Sequence, residues 1–216
     1  MVEAGGKKML FDPFITYNEL AKDIKVTDIM PDFIFVSHGH QDHIADCKSI
    51  ALQSGAQVIC SWEVAVWLNN QEVTNTRPMN TGGSFAFADG LTVKCVVAQH
   101  SSGLPDGTYG GNPMGFIINS TEGSFYFSGD TAITLDMQLI PLWANLQFCV
   151  LPIGDNFTMD AADAVRCADM VKCNTVIGVH YNTFGYIAID INKTKEIFAA
   201  GNKTLLLPGI GETINV

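Results

Sequence analysis

The chain has 216 residues, 47% hydrophobic and 16% charged, which is enough for one large domain with a substantial core; no apolar run reaches the length of a membrane span. Its net charge of −10 leaves too little positive surface for a nucleic-acid footprint, which needs Lys and Arg to displace counterions from phosphates. The start, Met1 to Lys8, lacks the apolar core of a signal peptide, and the six cysteines (Cys47, Cys60, Cys95, Cys149, Cys167 and Cys173) form no CxxC pair, so they read as buried thiols of a reducing, cytoplasmic compartment.

In chain order, Lys8 to Phe11 reads as a short strand stopped by Asp12-Pro13, and Phe14 to Tyr17 as a loop able to lie over a site. Phe33 to Val36 is an apolar strand. After it, Ile44, Cys47, Ile50 and Ala51 fall at helical spacing, with Gly55 as the stop. Ala56 to Cys60 reads as a strand, and Trp62 to Leu68 as a helix capped by Ser61. Ser84 to Phe87 and Leu91 to Ala98 pair across Asp89-Gly90, a hairpin signal.

Ser101 to Pro113, including Tyr109, is the one Gly/Pro-rich stretch; starting directly after His100, it is expected to border a site. Met114 to Asn119 and Ser124 to Ser128 make a second hairpin through Thr121 to Gly123. Leu135 to Trp143 is expected to be a helix and Phe148 to Pro152 a buried strand. Thr158 is expected to cap a helix reaching about Val171, with Ala161, Val165 and Ala168 on one face. Thr175 to His180 follows as a strand and Asn192 to Ala200 as a helix, with closing strands at Leu205 to Leu207 and Glu212 to Val216. No repeat or linker divides the chain, so residues 1–216 read as one α/β domain of paired sheets covered by helices.

The chemistry concentrates in Ser37-His38-Gly39-His40-Gln41-Asp42-His43, directly after an apolar strand. Three imidazoles and a carboxylate within six positions would go unpaired or repel one another unless a cation held them. The two remaining histidines, His100 and His180, also follow apolar strands, as does Asp130 after Ser124 to Ser128. Ligand-type groups gathered at strand ends point to a metal site. Nitrogen and oxygen ligands without cysteine admit zinc, manganese or iron.

The His-x-His-x-Asp-His turn, followed by His100-Ser101-Ser102, Gly129-Asp130-Thr131, Leu151 to Met159 and His180-Tyr181-Asn182-Thr183, resembles the metallo-β-lactamase superfamily. Leu10 to Phe14 matches as well. The likeness is to small bacterial metal-dependent hydrolases near the L-ascorbate-6-phosphate lactonase branch. It implies a four-layer αβ/βα sandwich with two divalent metal ions, zinc first and manganese or iron next, in a cleft between the sheets. By resemblance, His38, His40 and His100 would hold one ion, Asp42, His43 and His180 the other, and Asp130 would bridge them. Such relatives begin with a further edge strand carrying a Gly-His pair, which is not in this sequence, so the resemblance implies either a shortened start or a missing N-terminal piece, with a sheet edge left uncovered.

The reaction expected is hydrolysis of a small ester or lactone, including a phosphorylated sugar lactone, with Asp42 or Asp130 orienting a metal-activated water. Asp12 is a candidate partner of a ligand histidine, and Tyr181 and Asn182, next to His180, are candidates for touching substrate. A metal-dependent phosphodiesterase or nuclease and a mononuclear non-haem iron oxygenase are the alternatives. The expected partner is a small-molecule substrate, with no nucleic acid and no membrane, and an exposed sheet edge would favour a homo-oligomer.

Overall fold

The computed structural model describes residues 1–216. Two sheets lie face to face, each covered on its outer side by helices, as the resemblance implies. The first sheet has the order β1-β2-β3-β4-β5, made by Val2–Ala4, Lys7–Phe11, Phe33–Phe35, Gln57–Ser61 and Thr76–Met79. Strands β2 to β5 run parallel, and β1 is antiparallel at the edge. The second sheet has the order β12-β11-β10-β9-β8-β7-β6. Its members are β6 (Ser84–Ala88), β7 (Leu91–Val97), β8 (Met114–Ser120), β9 (Gly123–Phe127), β10 (Leu146–Pro152), β11 (Thr175–Val179) and β12 (Thr204–Leu206). The antiparallel meander β6 to β9 continues into parallel β10, β11 and β12.

Strand alternation explains why these segments read as unbroken apolar runs: both faces are buried. In β2 and β3, Met9 and Phe35 point between the sheets to meet Phe116, Ile118, Phe125 and Phe148. Their neighbours Leu10, Ile34 and Val36 point outward, under α1 (Gln41–Ile44), α2 (Cys47–Ser54) and α3 (Trp62–Asn69). On the far side, Ile117, Tyr126, Cys149, Leu151 and Val176 meet α4 (Ala161–Met170) and α5 (Ile191–Ala200). All six cysteines are buried and unpaired.

Several expectations needed correction. The expected helix from Ile44 is two helices, and Gly55 ends the second in a left-handed turn at φ 73°. Leu135–Leu142 is a 3-10 helix, with Thr134 capping its start and Pro141 inside it, where an α-helix would lack a donor. Thr158 does not cap α4; Asp160 does, accepting from Asp163 N at 2.7 Å. Glu212 to Val216 alternates like a strand but has no neighbour to pair with. Two strands escaped the pattern: β1, and β5, which carries Arg77 and Pro78 at a sheet edge. The last helix, α5, starts at Ile191, behind an Asp190 cap. No helix is long and apolar enough to cross a membrane.

Candidate metal centre

Because β2 to β4 run parallel in one sheet and β7, β9, β10 and β11 share a direction in the other, their C-terminal ends meet along one edge of the sandwich. Asp12 follows β2, Ser37 and His38 follow β3, His100 follows β7, Asp130 follows β9 and His180 follows β11. His40 sits at the N-cap of α1, so Asp42 and His43 leave its first turn side by side, about 100° apart around the axis.

Asp12 braces the His turn. One of its carboxylate oxygens accepts from Ser37 N at 2.7 Å, and the other from Ser37 Oγ at 2.6 Å and from His43 Nδ1 at 2.8 Å. Since the Ser37 hydroxyl proton goes to Asp12, Ser37 Oγ is free to accept from His38 Nδ1 at 2.9 Å. One carboxylate thus fixes the ring orientation of two histidines, directly for His43 and through Ser37 for His38. Both rings are held through Nδ1 and turn Nε2 into the cleft.

The inward-facing atoms converge. Asp130 Oδ2 lies 3.1 Å from His180 Nε2, 3.3 Å from His43 Nε2 and 3.6 Å from His100 Nε2. Asp42 Oδ2 lies 3.5 Å from His180 Nε2 and 3.6 Å from His43 Nε2. His38 Nε2 is 2.9 Å from His40 Nδ1. Two ligands of a four-coordinate ion with bonds of about 2.0–2.1 Å stand roughly 3.3 Å apart, so this spacing suits shared ions. Two triads have ligand atoms within 4.8 Å of one another, His38 with His40 and His100, and Asp42 with His43 and His180. A third grouping, Asp12 with His38 and His43, is occupied by the hydrogen bonds above.

Electrostatics agree. Burial, reinforced by neighbouring imidazoles, holds His38 well below its usual range, and burial lowers His40 and His100 too, leaving neutral rings with free lone pairs. Burial also opposes charge on His43 and His180, but Asp12 and Asp130 outweigh it at His43, and bonds to Asp130 and Asp42 lift His180 to about 9. For Asp42 and Asp130, bonds to His180 and His43 overcome burial and hold both carboxyls below the carboxylate range. His43 Nε2 is buried without a hydrogen-bond partner. Without an ion, protons on His43 and His180 stand where positive charge is wanted, so the residues fit a metal.

A family model described as "Beta-lactamase superfamily domain" matches residues 7–181. The chain belongs to the metallo-β-lactamase superfamily. It is 45% identical over 218 residues to a UPF0173 metal-dependent hydrolase of Christiangramia forsetii, covering 100% of this chain and 95% of that one. A similar protein of Flavobacterium johnsoniae is 43% identical over 215 residues, with the same coverage. Among solved structures, Igni18, a metallo hydrolase from Ignicoccus hospitalis, superposes with a TM-score of 0.86 at 31% identity, over 98% of this chain and 91% of that one. An isothiocyanate hydrolase from Delia radicum gut bacteria superposes at 0.79 with 20% identity, over 100% and 94%, and so shares the fold. The chain is a metal-dependent hydrolase of this superfamily.

In this metallo-β-lactamase sandwich the ligand-type residues floor a cleft of about 660 Å³, walled by Phe14, Tyr17, Phe157 and Phe184. Beyond His40 and His100 a polar recess of about 480 Å³ is lined by Ser101, Ser102, Tyr109 and Asn112. Of the substrate candidates, Tyr109 borders this recess, with its hydroxyl donating to Asn112 Oδ1 at 2.8 Å. Tyr181 and Asn182 do not line the cleft. Tyr181 packs against the outer core, and Asn182 Oδ1 accepts from Ile189 N at 2.8 Å, pinning the loop that carries Phe184. The Phe14 to Tyr17 loop, expected to lie over a site, does line the cleft. Ser37 was not singled out in sequence, although a serine next to the first histidine was the available signal, and nothing in the sequence pointed to Phe157 as part of the wall.

Proposed function

We propose that the protein hydrolyses a small ester or lactone with two divalent metal ions, zinc in first place and manganese or iron as substitutes. His38, His40 and His100 would hold one ion, Asp42, His43 and His180 the other, and Asp130 would lie between them. The observation that carries this reading is Asp130 Oδ2, within 3.1–3.6 Å of imidazole nitrogens from both triads. Bound ions would bring a shared water to hydroxide near neutral pH and draw charge from the attacked carbonyl.

The chain's own groups supply the rest. Asp130, its side chain only 5% exposed, is suited to the position between the triads, whereas Asp42 at 28% faces the cleft and can orient the attacking water. Asp12 and Ser37 hold the His43 and His38 rings in place throughout. The tight floor keeps bulk water from the reacting carbon while the substrate fills the cleft above it. Six free, buried thiols support a reducing, cytoplasmic setting.

A phosphodiesterase or nuclease reading has less support, since none of the lysines or arginines lines either lobe of the cleft. A mononuclear oxygenase would leave one of the two triads without a task. The test is elemental analysis of protein purified without chelator, with turnover of a simple lactone and a phosphodiester measured on the same sample. About two ions per chain with lactone turnover is the expected result. One iron with oxygen uptake, or phosphodiester cleavage alone, would overturn the reading.

A further inference from the structure

The two lobes of the cleft differ in their side chains and meet at three shared residues, His40, His100 and Ser101. On one side stand Phe14, Tyr17, Phe157 and Phe184, and on the other Ser102, Tyr109 and Asn112. We infer that the site takes an uncharged substrate whose apolar acyl or aryl part lies in the aromatic lobe and whose polar, uncharged leaving group lies in the Ser101–Asn112 recess. This inference rests on the hydrolase reading above and narrows its substrate class.

Three observations carry it. First, the aromatic wall is a built surface. Phe14 and Phe184 meet across the cleft with ring centroids 6.0 Å apart, and Phe157 meets Tyr186 at 6.1 Å. The loop bearing Phe14 and Tyr17 is held by Asp46, buried at the end of α1, which accepts from Ile15 N at 2.6 Å, from Thr16 N at 3.0 Å and from the Thr16 hydroxyl. The loop bearing Phe184 is held by Asn182, whose N donates to Ile187 O at 2.8 Å. These rings stay exposed, Phe157 at 53% and Phe184 at 39%, although the chains beneath them are fixed. Ordered aromatic surface open to solvent next to a reactive floor suits an apolar ligand.

Second, the opposite wall is fixed as well as polar. Ser61 Oγ donates to Gly110 O at 2.7 Å, and Gly39 N donates to Ser102 Oγ at 3.0 Å. Gly39 and Gly110 approach so closely that a Cβ on Gly39 would meet Leu104 at 3.0 Å and one on Gly110 would overlap Ser102 Oγ. Apart from His40 and His100 the recess is lined by no residue that ionises near neutral pH, and its hydroxyl and amide groups are held within the wall, Ser102 Oγ by Gly39 N and the Tyr109 hydroxyl by Asn112. Third, a phosphate or carboxylate on the substrate away from the reacting bond calls for Lys or Arg, and neither lobe is lined by a lysine or arginine. A phosphorylated sugar lactone is thereby disfavoured against its uncharged counterpart.

The test uses zinc-loaded full-length protein and a series of neutral esters of one alcohol, from acetyl through octanoyl and phenylacetyl, with gluconolactone and its 6-phosphate alongside. Burial of each added methylene should raise kcat/KM by about threefold over the first few carbons. The phosphorylated lactone should fall at least tenfold below the unphosphorylated one. Phe157→Ala and Phe184→Ala should flatten the chain-length dependence by raising KM more than they lower kcat, and Phe157→Leu and Phe184→Leu should restore most of it. Both rings are partly exposed, so a thermal melt of each variant checks the fold. Turnover that ignores acyl length, or that prefers the phosphorylated lactone, would overturn the inference and leave the hydrolase reading standing. Phosphodiester cleavage with no turnover of any ester or lactone would overturn that reading itself, and the inference with it.

Discussion

The two sheets contribute to the centre in different ways. The first sheet delivers His38, His40, Asp42 and His43 from one turn, braced by a single carboxylate at the end of the neighbouring strand. The second delivers His100, Asp130 and His180 singly, from three strands that alternate with others in the sheet. His180 Nδ1 is buried and has no partner, so that ring has no brace behind it and is held only through its contacts with Asp130 and Asp42 in the cleft. One half is preset by hydrogen bonds between side chains; the other is set by where strands end. The first half should therefore fail through its brace, and the second through its ligands.

The largest effect should follow Asp130→Ala, which removes the group nearest to histidines from both triads. Bound metal should drop below two ions per chain, and kcat/KM should fall by more than the roughly 10²–10³-fold that loss of one transition-state donor costs. Elemental analysis and turnover on one sample check this; full activity in metal-loaded protein would refute the bridging position. Asp12→Ala should come next, with about 10- to 100-fold loss in metal affinity or activity, because His38 and His43 lose their orientation together. Ser37→Ala, which cuts only the arm to His38, should sit near the lower end of that range in a metal titration. If Ser37→Ala matched Asp12→Ala, the direct bond to His43 would count for nothing and the brace would act on one ring alone.

Chelation should lower the melting temperature. An ion at one hundred times its Kd stabilises the folded state by about 2.7 kcal/mol, which corresponds to roughly 5–10 °C for a chain of this size. Calorimetry with and without chelator reads the shift, and Asp130→Ala should show less of it. The smallest effect is expected for Asn182→Ala, a rise of a few-fold in KM as the loop under Phe184 loosens, with metal content maintained.

The preset half was legible in the sequence because its parts are local: a strand, a turn and a helix start within a dozen residues. The gathering of His100, Asp130 and His180 was legible only as a shared position after apolar strands; which strands lie together depends on sheet order, and no local pattern encodes that. The misplaced helix cap shows the same limit on a smaller scale. Thr158 and Asp160 are both capping residues, and Asp160 prevails because its extended backbone aims its carboxylate at Asp163 N. The alternation in Glu212 to Val216 failed for want of a neighbouring strand, and the edge strand Thr76–Met79 was hidden by its proline. Of the aromatic wall only the Phe14 to Tyr17 loop was legible, because the other rings come from loops after different strands of the second sheet.

Asp12 and His180 both sit in the left-handed backbone region, at φ 44° and 56°. For residues other than glycine this conformation costs on the order of 1 kcal/mol each. Glycine at position 180 should relax the backbone there, so His180→Gly should melt higher than His180→Ala although both lose turnover. Histidine at this position thus carries a backbone cost that the free energy of metal binding would more than offset, so the strain should show in the melting temperature only once the metal is removed.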